Sequence, residues 1–143
     1  MQRLIVKKLN PEAKLPSKGN NDVLNAGYDL YACGDWQIPA HSRILIDTGL
    51  AMQIEDGYVG IIKDRSSMAV KYQDTHAGII DANYRGHVKV LLHNNTDTIF
   101  QIVHHDRIAQ IIFLRHENPE VIEGELSDSV RGEGGFGPSG DEV

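Results

Sequence analysis

Gly78-Ile79-Ile80-Asp81-Ala82-Asn83-Tyr84-Arg85-Gly86-His87-Val88-Lys89-Val90 is the stretch from which the rest of this chain is read. Two β-rich runs flank a tight polar turn, the pattern of a strand-turn-strand unit. Asp81 closes the first run directly after two isoleucines. The expectation is a carboxylate at the lip of a buried strand pair, held partly desolvated and aimed at a bound water or substrate. Tyr84 is placed to stack against or screen a ligand in the same cleft.

Working outward, nearly everything reads as short strands between turns. Leu4-Ile5-Val6, Trp36-Gln37-Ile38, Arg43-Ile44-Leu45-Ile46, Leu50 to Ile54 and Tyr58 to Ile62 are β-branched or aromatic runs. Pro39-Ala40, Asp47-Thr48-Gly49 and Glu55-Asp56-Gly57 break them. Val88 to Leu92, Thr98 to Val103 and Arg107 to Leu114 continue the series, and the one helical candidate is short, Ser67 to Lys71. Turns this closely spaced favour a sandwich, jelly roll or barrel over alternating strands and helices. A core over 1–117 is therefore expected, followed by an arm over 118–143 that is acidic and poor in apolar residues.

Composition narrows the class. The chain has 143 residues, room for one domain. Fourteen Lys and Arg against twenty Asp and Glu give a formal charge of −6, which argues against a nucleic-acid binder. The lone Cys33 has no internal disulfide partner and fits a reducing compartment. The N-terminus turns polar too early for a signal peptide and no apolar run has a membrane span's length, so a cytoplasmic or nuclear protein away from membranes is expected.

Four further pieces carry chemistry, each with a plain structural alternative. Ala26-Gly27-Tyr28-Asp29-Leu30 sets an acid after a glycine turn. Asp64-Arg65-Ser66-Ser67-Met68-Ala69 puts an arginine and two hydroxyls at a strand end before the short helix, suited to anions or, more plainly, to capping. Asp106-Arg107-Ile108-Ala109-Gln110 opens a strand with a charge pair and an amide, which also reads as a salt bridge plus an edge-strand glutamine. Arg131-Gly132-Glu133-Gly134-Gly135-Phe136-Gly137-Pro138-Ser139-Gly140 has five glycines in ten residues. It reads equally as a disordered tail or as an arm that orders over a ligand. The seven histidines suggest surface or structural roles; His104-His105, taken as strand neighbours, face opposite sides. Trp36 is expected in the core, and Gln73-Asp74-Thr75-His76 reads as a polar loop.

In order and spacing these pieces resemble the five motifs of the homotrimeric dUTPase family, over essentially the whole chain. The resemblance implies an all-β jelly roll with one short helix, assembled as a homotrimer with shared active sites. The implied reaction is Mg2+-dependent hydrolysis of dUTP to dUMP and pyrophosphate, which supplies dUMP for dTMP synthesis and keeps uracil out of DNA. Asp81 would be the general base that activates water for attack on the α-phosphorus. Backbone groups around Ile80 and Lys89 would read uracil, and Tyr84 would pack under the deoxyribose and exclude a 2′-hydroxyl. Arg65, Ser66, Ser67 and Gln110 would hold the α- and β-phosphates. Arg131 and Ser139 would reach the γ-phosphate, with Gly137 beside them and Phe136 on the base. Asp29 and Asp106 would support the site from behind. Mg2+ would be held by the triphosphate and waters, with Asp29 contributing through water and no residue a direct ligand.

The chain departs from the family pattern where His105 replaces a glycine, where Pro138 replaces a hydroxyl residue, and in the polar segment before Asp81. Two rivals follow. A dCTP deaminase shares the jelly roll and an Arg-Ser-Ser motif, but wants a glutamate where this chain has Asp81. A nucleotide sensor with a regulatory protein partner would keep the pocket without turnover, and no feature of the sequence indicates such a partner.

Overall fold

β-branched and aromatic runs become strands wherever alternate residues can face a common core. In the computed structural model, which describes residues 1–137, these are β1 (Ile5–Lys8), β2 (Tyr28–Tyr31), β3 (Trp36–Ile38), β4 (Arg43–Asp47), β5 (Leu50–Gln53) and β6 (Tyr58–Lys63). The short helix α1 (Ser66–Val70) follows, then β7 (Gln73–His76), β8 (Ile79–Ile80), β9 (Lys89–Asn94), β10 (Phe100–Ile102) and β11 (Arg107–Arg115). The architecture is an all-β jelly roll. Among the described residues, one sheet has the order β2-β11-β6-β8 and another β4-β9-β7, with β1-β5 and β3-β10 as two-stranded ribbons. All of these pairings are antiparallel.

One core joins the sheets. Leu30, Ile108 and Ile111 from the four-stranded sheet meet Ile46, Val90 and Leu92 from the three-stranded sheet, with Ile38, Leu50 and Ile102 from the ribbons. Each contributes roughly 1.5–3 kcal/mol through burial. Strand β9 shows the logic most plainly: Val90, Leu92 and Asn94 are buried while Lys89, Leu91 and His93 alternate outward. Asn94 is admitted because its amide is fully used. Its Nδ2 donates to the carbonyls of Ile38 (3.1 Å), Pro39 (3.2 Å) and Thr98 (2.8 Å), and its Oδ1 accepts from Gln73 Nε2 (2.8 Å). The three-stranded sheet is thereby tied to the turns around β3 and β10.

Three expectations are corrected here. The runs around Asp81 are not a strand pair: β8 pairs with β6, whereas β9 lies between β4 and β7. The polar turn between them carries the chain from one sheet to the other, so Asp81 is left exposed rather than desolvated. The supposed polar loop over 73–76 is strand β7, paired with β9 from Gln73↔Asn94 to His76↔Leu91, with Gln73 bonded to Asn94, Asp74 to Asn95 and Thr75 to Asp64. His104 and His105 sit in a turn, not a strand, with their rings stacked 3.7 Å apart.

Gly78 enters β8 with φ +99°, and a Cβ there would lie 2.7 Å from the Ile62 carbonyl oxygen. Only glycine lets the segment approach β6 so closely. Between Arg115 and residue 137 there is neither strand nor helix, and Val121, Ile122, Leu126, Val130 and Phe136 are largely or wholly exposed. Trp36 is half-buried against the core, its Nε1 donating to the Cys33 carbonyl at 3.0 Å. Among the described residues no helix is long and apolar enough to cross a membrane.

Candidate active site

A register shift in β11 builds the first half of the site. Opposite β2, Arg107 aligns with Tyr31, Ala109 with Leu30 and Gln110 with Asp29, so one extra residue is accommodated between Arg107 and Ala109. Ile108 and Ala109 are consequently both buried, and Arg107 and Gln110 emerge on the same face. Gln110 lies between Asp29 of β2 and Lys63 of β6, in the middle of the sheet rather than at an edge as the sequence suggested. Its Nε2 donates to the Asp64 carbonyl at 2.8 Å. Gly27 makes room for it, since a Cβ at that position would lie 2.9 Å from Gln110 Cδ.

Two arginines converge on Asp29. Arg65 Nε donates to Oδ1 at 3.2 Å and Arg107 Nη1 lies 3.6 Å from Oδ2. The carboxylate is only 15% exposed, so each guanidinium is held by a partly desolvated partner. Arg65 Nη1 donates to Ser67 Oγ at 3.2 Å. A cleft of about 330 Å3 opens here, lined by Gly27, Asp29, Arg65, Ser66, Arg107 and Gln110. Ser66 and Ser67 are exposed and do not cap α1; Arg65 occupies the cap position and no side-chain bond closes it. Arg107, which the sequence reading left without a site role, is a wall of this cleft. Its place inside the fourth motif was the available signal.

Asp106 does not pair with Arg107. Its Oδ2 accepts from Val103 N at 2.9 Å and closes the turn that opens β11. In that turn His105 adopts φ +67°, the backbone state a glycine reaches freely. The strain is met by His105 Nε2 donating to the Glu12 carbonyl at 2.7 Å and by the stack on His104.

The second group lies elsewhere. Asp81 leaves β8 beside Gly60 of β6, whereas Arg65 is five residues further along that extended segment, about 16 Å at roughly 3.3 Å per residue. Tyr84 N donates to the Asp81 carbonyl at 3.1 Å, and its hydroxyl donates to the His87 carbonyl at 2.8 Å. The Tyr84 ring folds over Gly86: a Cβ there would lie 2.5 Å from Oη and 2.7 Å from Cζ. Ile80 is buried, and Lys89 is exposed opposite Asp47.

The third group is on the arm. Arg131 Nε donates to the Gly134 carbonyl at 2.6 Å, and Phe136 and Gly137 are exposed. Ser139 and Pro138 lie outside the described residues. A single chain thus gathers Asp29, Arg65, Ser66, Ser67 and Gln110, and leaves Asp81 with Tyr84 in one separate place and Arg131 with Phe136 in another. A wider apolar groove of about 690 Å3, lined by Leu4, Val6, Leu15, Tyr28, Tyr58 and Phe113 among others, contains none of these residues. Among the described residues no three His, Cys, Asp or Glu side chains converge as a metal cage. Among the described residues, Asp29 is the one carboxylate lining the arginine cleft.

The dUTPase family model matches residues 12–140. The "Probable deoxyuridine 5'-triphosphate nucleotidohydrolase" of Schizosaccharomyces pombe is 47% identical over 137 residues, covering 94% of this chain and 96% of that protein. The deoxyuridine 5'-triphosphate nucleotidohydrolase of Paramecium bursaria Chlorella virus 1 is 42% identical, covering 98% and 99%. Among solved structures, the dUTPase of Staphylococcus bacteriophage 80alpha with dUPNHPP superposes with a TM-score of 0.89 at 28% identity, covering 98% of this chain and 99% of that one. The dUTPase of phage phi11, described with a structural Mg(II) ion, gives 0.81 at 25% identity, with 87% and 98% covered.

Proposed function

The chain belongs to the dUTPase family, and from that membership we propose that it hydrolyses dUTP to dUMP and pyrophosphate at sites shared between copies of itself. The observation that carries the sharing is the separation along β6. Ile80 pairs with Gly60, so within one chain the Asp81 end of β8 stands five residues of extended backbone, roughly 16 Å, from Arg65 and its Asp29–Arg107 cluster. A site that uses both takes them from different chains. The apolar side chains on the arm, and Ile79, Ile99 and Val103 exposed on the body, are surfaces that a homotrimer would cover.

In this reading Arg65, Ser66, Ser67 and Gln110 of one chain receive the α- and β-phosphates. Arg107 stiffens the cleft through Asp29. A second chain presents Ile80 and Lys89 main-chain groups to uracil and the Tyr84 ring to the deoxyribose, where the ring leaves no space for a 2′-hydroxyl. The arm of a third brings Arg131 and Ser139 to the γ-phosphate and Phe136, followed by Gly137, over the base. Asp81 takes a proton from a water whose oxygen attacks the α-phosphorus. The bond from that phosphorus to the bridging oxygen breaks, and pyrophosphate leaves with the electron pair. The exposure of Asp81 in one chain gives way to desolvation when neighbours close around it. A Mg2+ ion, arriving with the triphosphate, would supply charge neutralisation at the phosphate oxygens. Asp29 is the chain's carboxylate suited to hold one of its waters. Asp106 supports the cleft by shaping the turn that opens β11.

The test is product analysis of dUTP, dCTP, UTP and dTTP with Mg2+. Conversion of dUTP alone to dUMP supports the reading. Ammonia from dCTP would make the chain a deaminase, and dUTP binding without turnover would make it a sensor. Mixing Asp81→Asn with Arg65→Ala chains tests the sharing: refolded together they regain activity only if the two residues act from different chains.

A further inference from the structure

We propose that Asp47 and His87 are positioning residues that hold the sugar-reading tyrosine in place, an inference that rests on the role of Tyr84 given above. Residues 81–85 are tied mainly to each other. Tyr84 N donates to the Asp81 carbonyl at 3.1 Å, and Arg85 Nη1 to the Ala82 carbonyl at 2.6 Å. Nothing in those bonds fixes the turn relative to the body of the protein. Ala82 packs against the core, and the hydrogen-bonded anchoring on the Tyr84 side comes from the β4–β5 turn.

Four contacts make that anchor. Thr48, fully buried, donates its hydroxyl to the Val88 carbonyl at 2.6 Å, and Val88 N donates to the Leu50 carbonyl at 2.7 Å. His87 Nδ1 donates to Asp47 Oδ2 at 2.8 Å, and Asp47 is itself fixed by accepting Gly49 N on Oδ1 at 2.7 Å. The Thr48 and Leu50 contacts hold residue 88. The Asp47–His87 contact holds the residue before it, whose carbonyl accepts the Tyr84 hydroxyl at 2.8 Å. A relay therefore runs from the β4–β5 turn through the Asp47 carboxylate, the His87 ring and the His87 carbonyl to the phenol. The ring beyond it rests on Gly86. Asp47 and His87 are 26% and 49% exposed, so the contact adds little to global stability. What it changes is where one carbonyl points, and with it the depth of the tyrosine.

The chemistry this controls is ribose against deoxyribose. A tyrosine free to tilt admits a 2′-hydroxyl and also grips the deoxyribose less well. The effect falls on KM and on the ratio of kcat/KM for dUTP to that for UTP, while kcat stays put.

The experiment is steady-state kinetics on both nucleotides with the full-length assembled protein. Asp47→Ala is expected to lower the dUTP:UTP ratio about fivefold, the equivalent of one ordinary hydrogen bond, mainly through KM for dUTP. Asp47→Asn keeps an acceptor oxygen and is expected to restore most of the ratio. His87→Ala, which leaves Gly49 capped, is expected to match Asp47→Ala and serves if that variant folds poorly. In a Tyr84→Phe background, where the phenol hydroxyl is gone, Asp47→Ala is expected to have no further effect on the ratio. A merely structural role would depress turnover of both nucleotides alike and leave the ratio unmoved. An unchanged ratio in both Asp47→Ala and His87→Ala, or an equal loss with and without the Tyr84 hydroxyl, overturns the proposal. A Tyr84→Ala control that leaves the ratio unchanged overturns the reading of Tyr84 and the proposal together.

Discussion

Adding one methyl group at Gly86 tests whether the Tyr84 ring sets sugar selectivity. An alanine Cβ there would stand 2.5 Å from Tyr84 Oη, 2.7 Å from Cζ and 2.9 Å from Cε1, where ordinary contact begins near 3.4 Å. The shortfall is about 0.9 Å at the hydroxyl. The Gly86 backbone lies outside the left-handed region, so alanine brings no dihedral strain. The yielding group is the end of the tyrosine side chain, and the ring must swing outward by nearly an ångström. Loss of the Tyr84–His87 hydrogen bond costs about 1 kcal/mol, and the reduced freedom of the unfolded chain returns about 0.4–1 kcal/mol. Folding stability should therefore change by less than about 1 kcal/mol. Selectivity should not be spared, because a displacement of about 1 Å costs on the order of a hundredfold where geometry decides the rate. Gly86→Ala is expected to lower the dUTP:UTP ratio of kcat/KM between about ten- and a hundredfold, with Tm within about 3 °C of the parent. A correctly folded Gly86→Ala protein with unaltered selectivity would refute the reasoning.

Three further outcomes are expected. His105→Gly should be more stable than His105→Ala by about 1 kcal/mol in urea unfolding, since both lose the Glu12 and His104 contacts but only glycine relieves φ +67°. Asn94→Ala should cost about 3 kcal/mol or more, because it strands the carbonyls of Ile38, Pro39 and Thr98 in the interior; a loss under 1 kcal/mol would mean the network is dispensable. Glu55 accepts the backbone N–H groups of Arg3 and Gln2, which hold its carboxyl below the usual value of about 4.5. Because the folded value is depressed, this N-terminal tie is intact above pH 4.5 and is lost as pH falls through the lower folded value. The Arg3 amide resonance should shift across that acid range, and Glu55→Gln should abolish the titration.

The strands were legible wherever β-branched residues ran together, and β6 and β11 lie within a residue of their expected bounds. Strand β7 was hidden because its sequence is polar: Gln73 is buried through a bond to Asn94, twenty-one positions away, which no local pattern announces. Pairing failed for the same reason around Asp81, where two adjacent runs join different sheets. Of the candidate site, the residue types and their grouping into motifs could be read directly. The ion pairing of Asp29 with Arg65 and Arg107 could not, because a register shift in β11 decides which face Arg107 takes. Nor could the distance between Asp81 and Arg65, which depends on where β8 meets β6.

That register shift also limits how the gene can vary. Apolar-for-apolar substitutions at Ile108 or Ala109 leave the ladder intact. Removing either codon takes away the extra residue that turns Arg107 outward. Its guanidinium would then face the interior, and Asp29 would lose one of its two arginines. A three-nucleotide deletion here is thus a heavier lesion than most missense changes, although the reading frame survives and the shortened strand keeps its hydrophobicity. The apolar positions of this strand can exchange with one another, but its length is pinned.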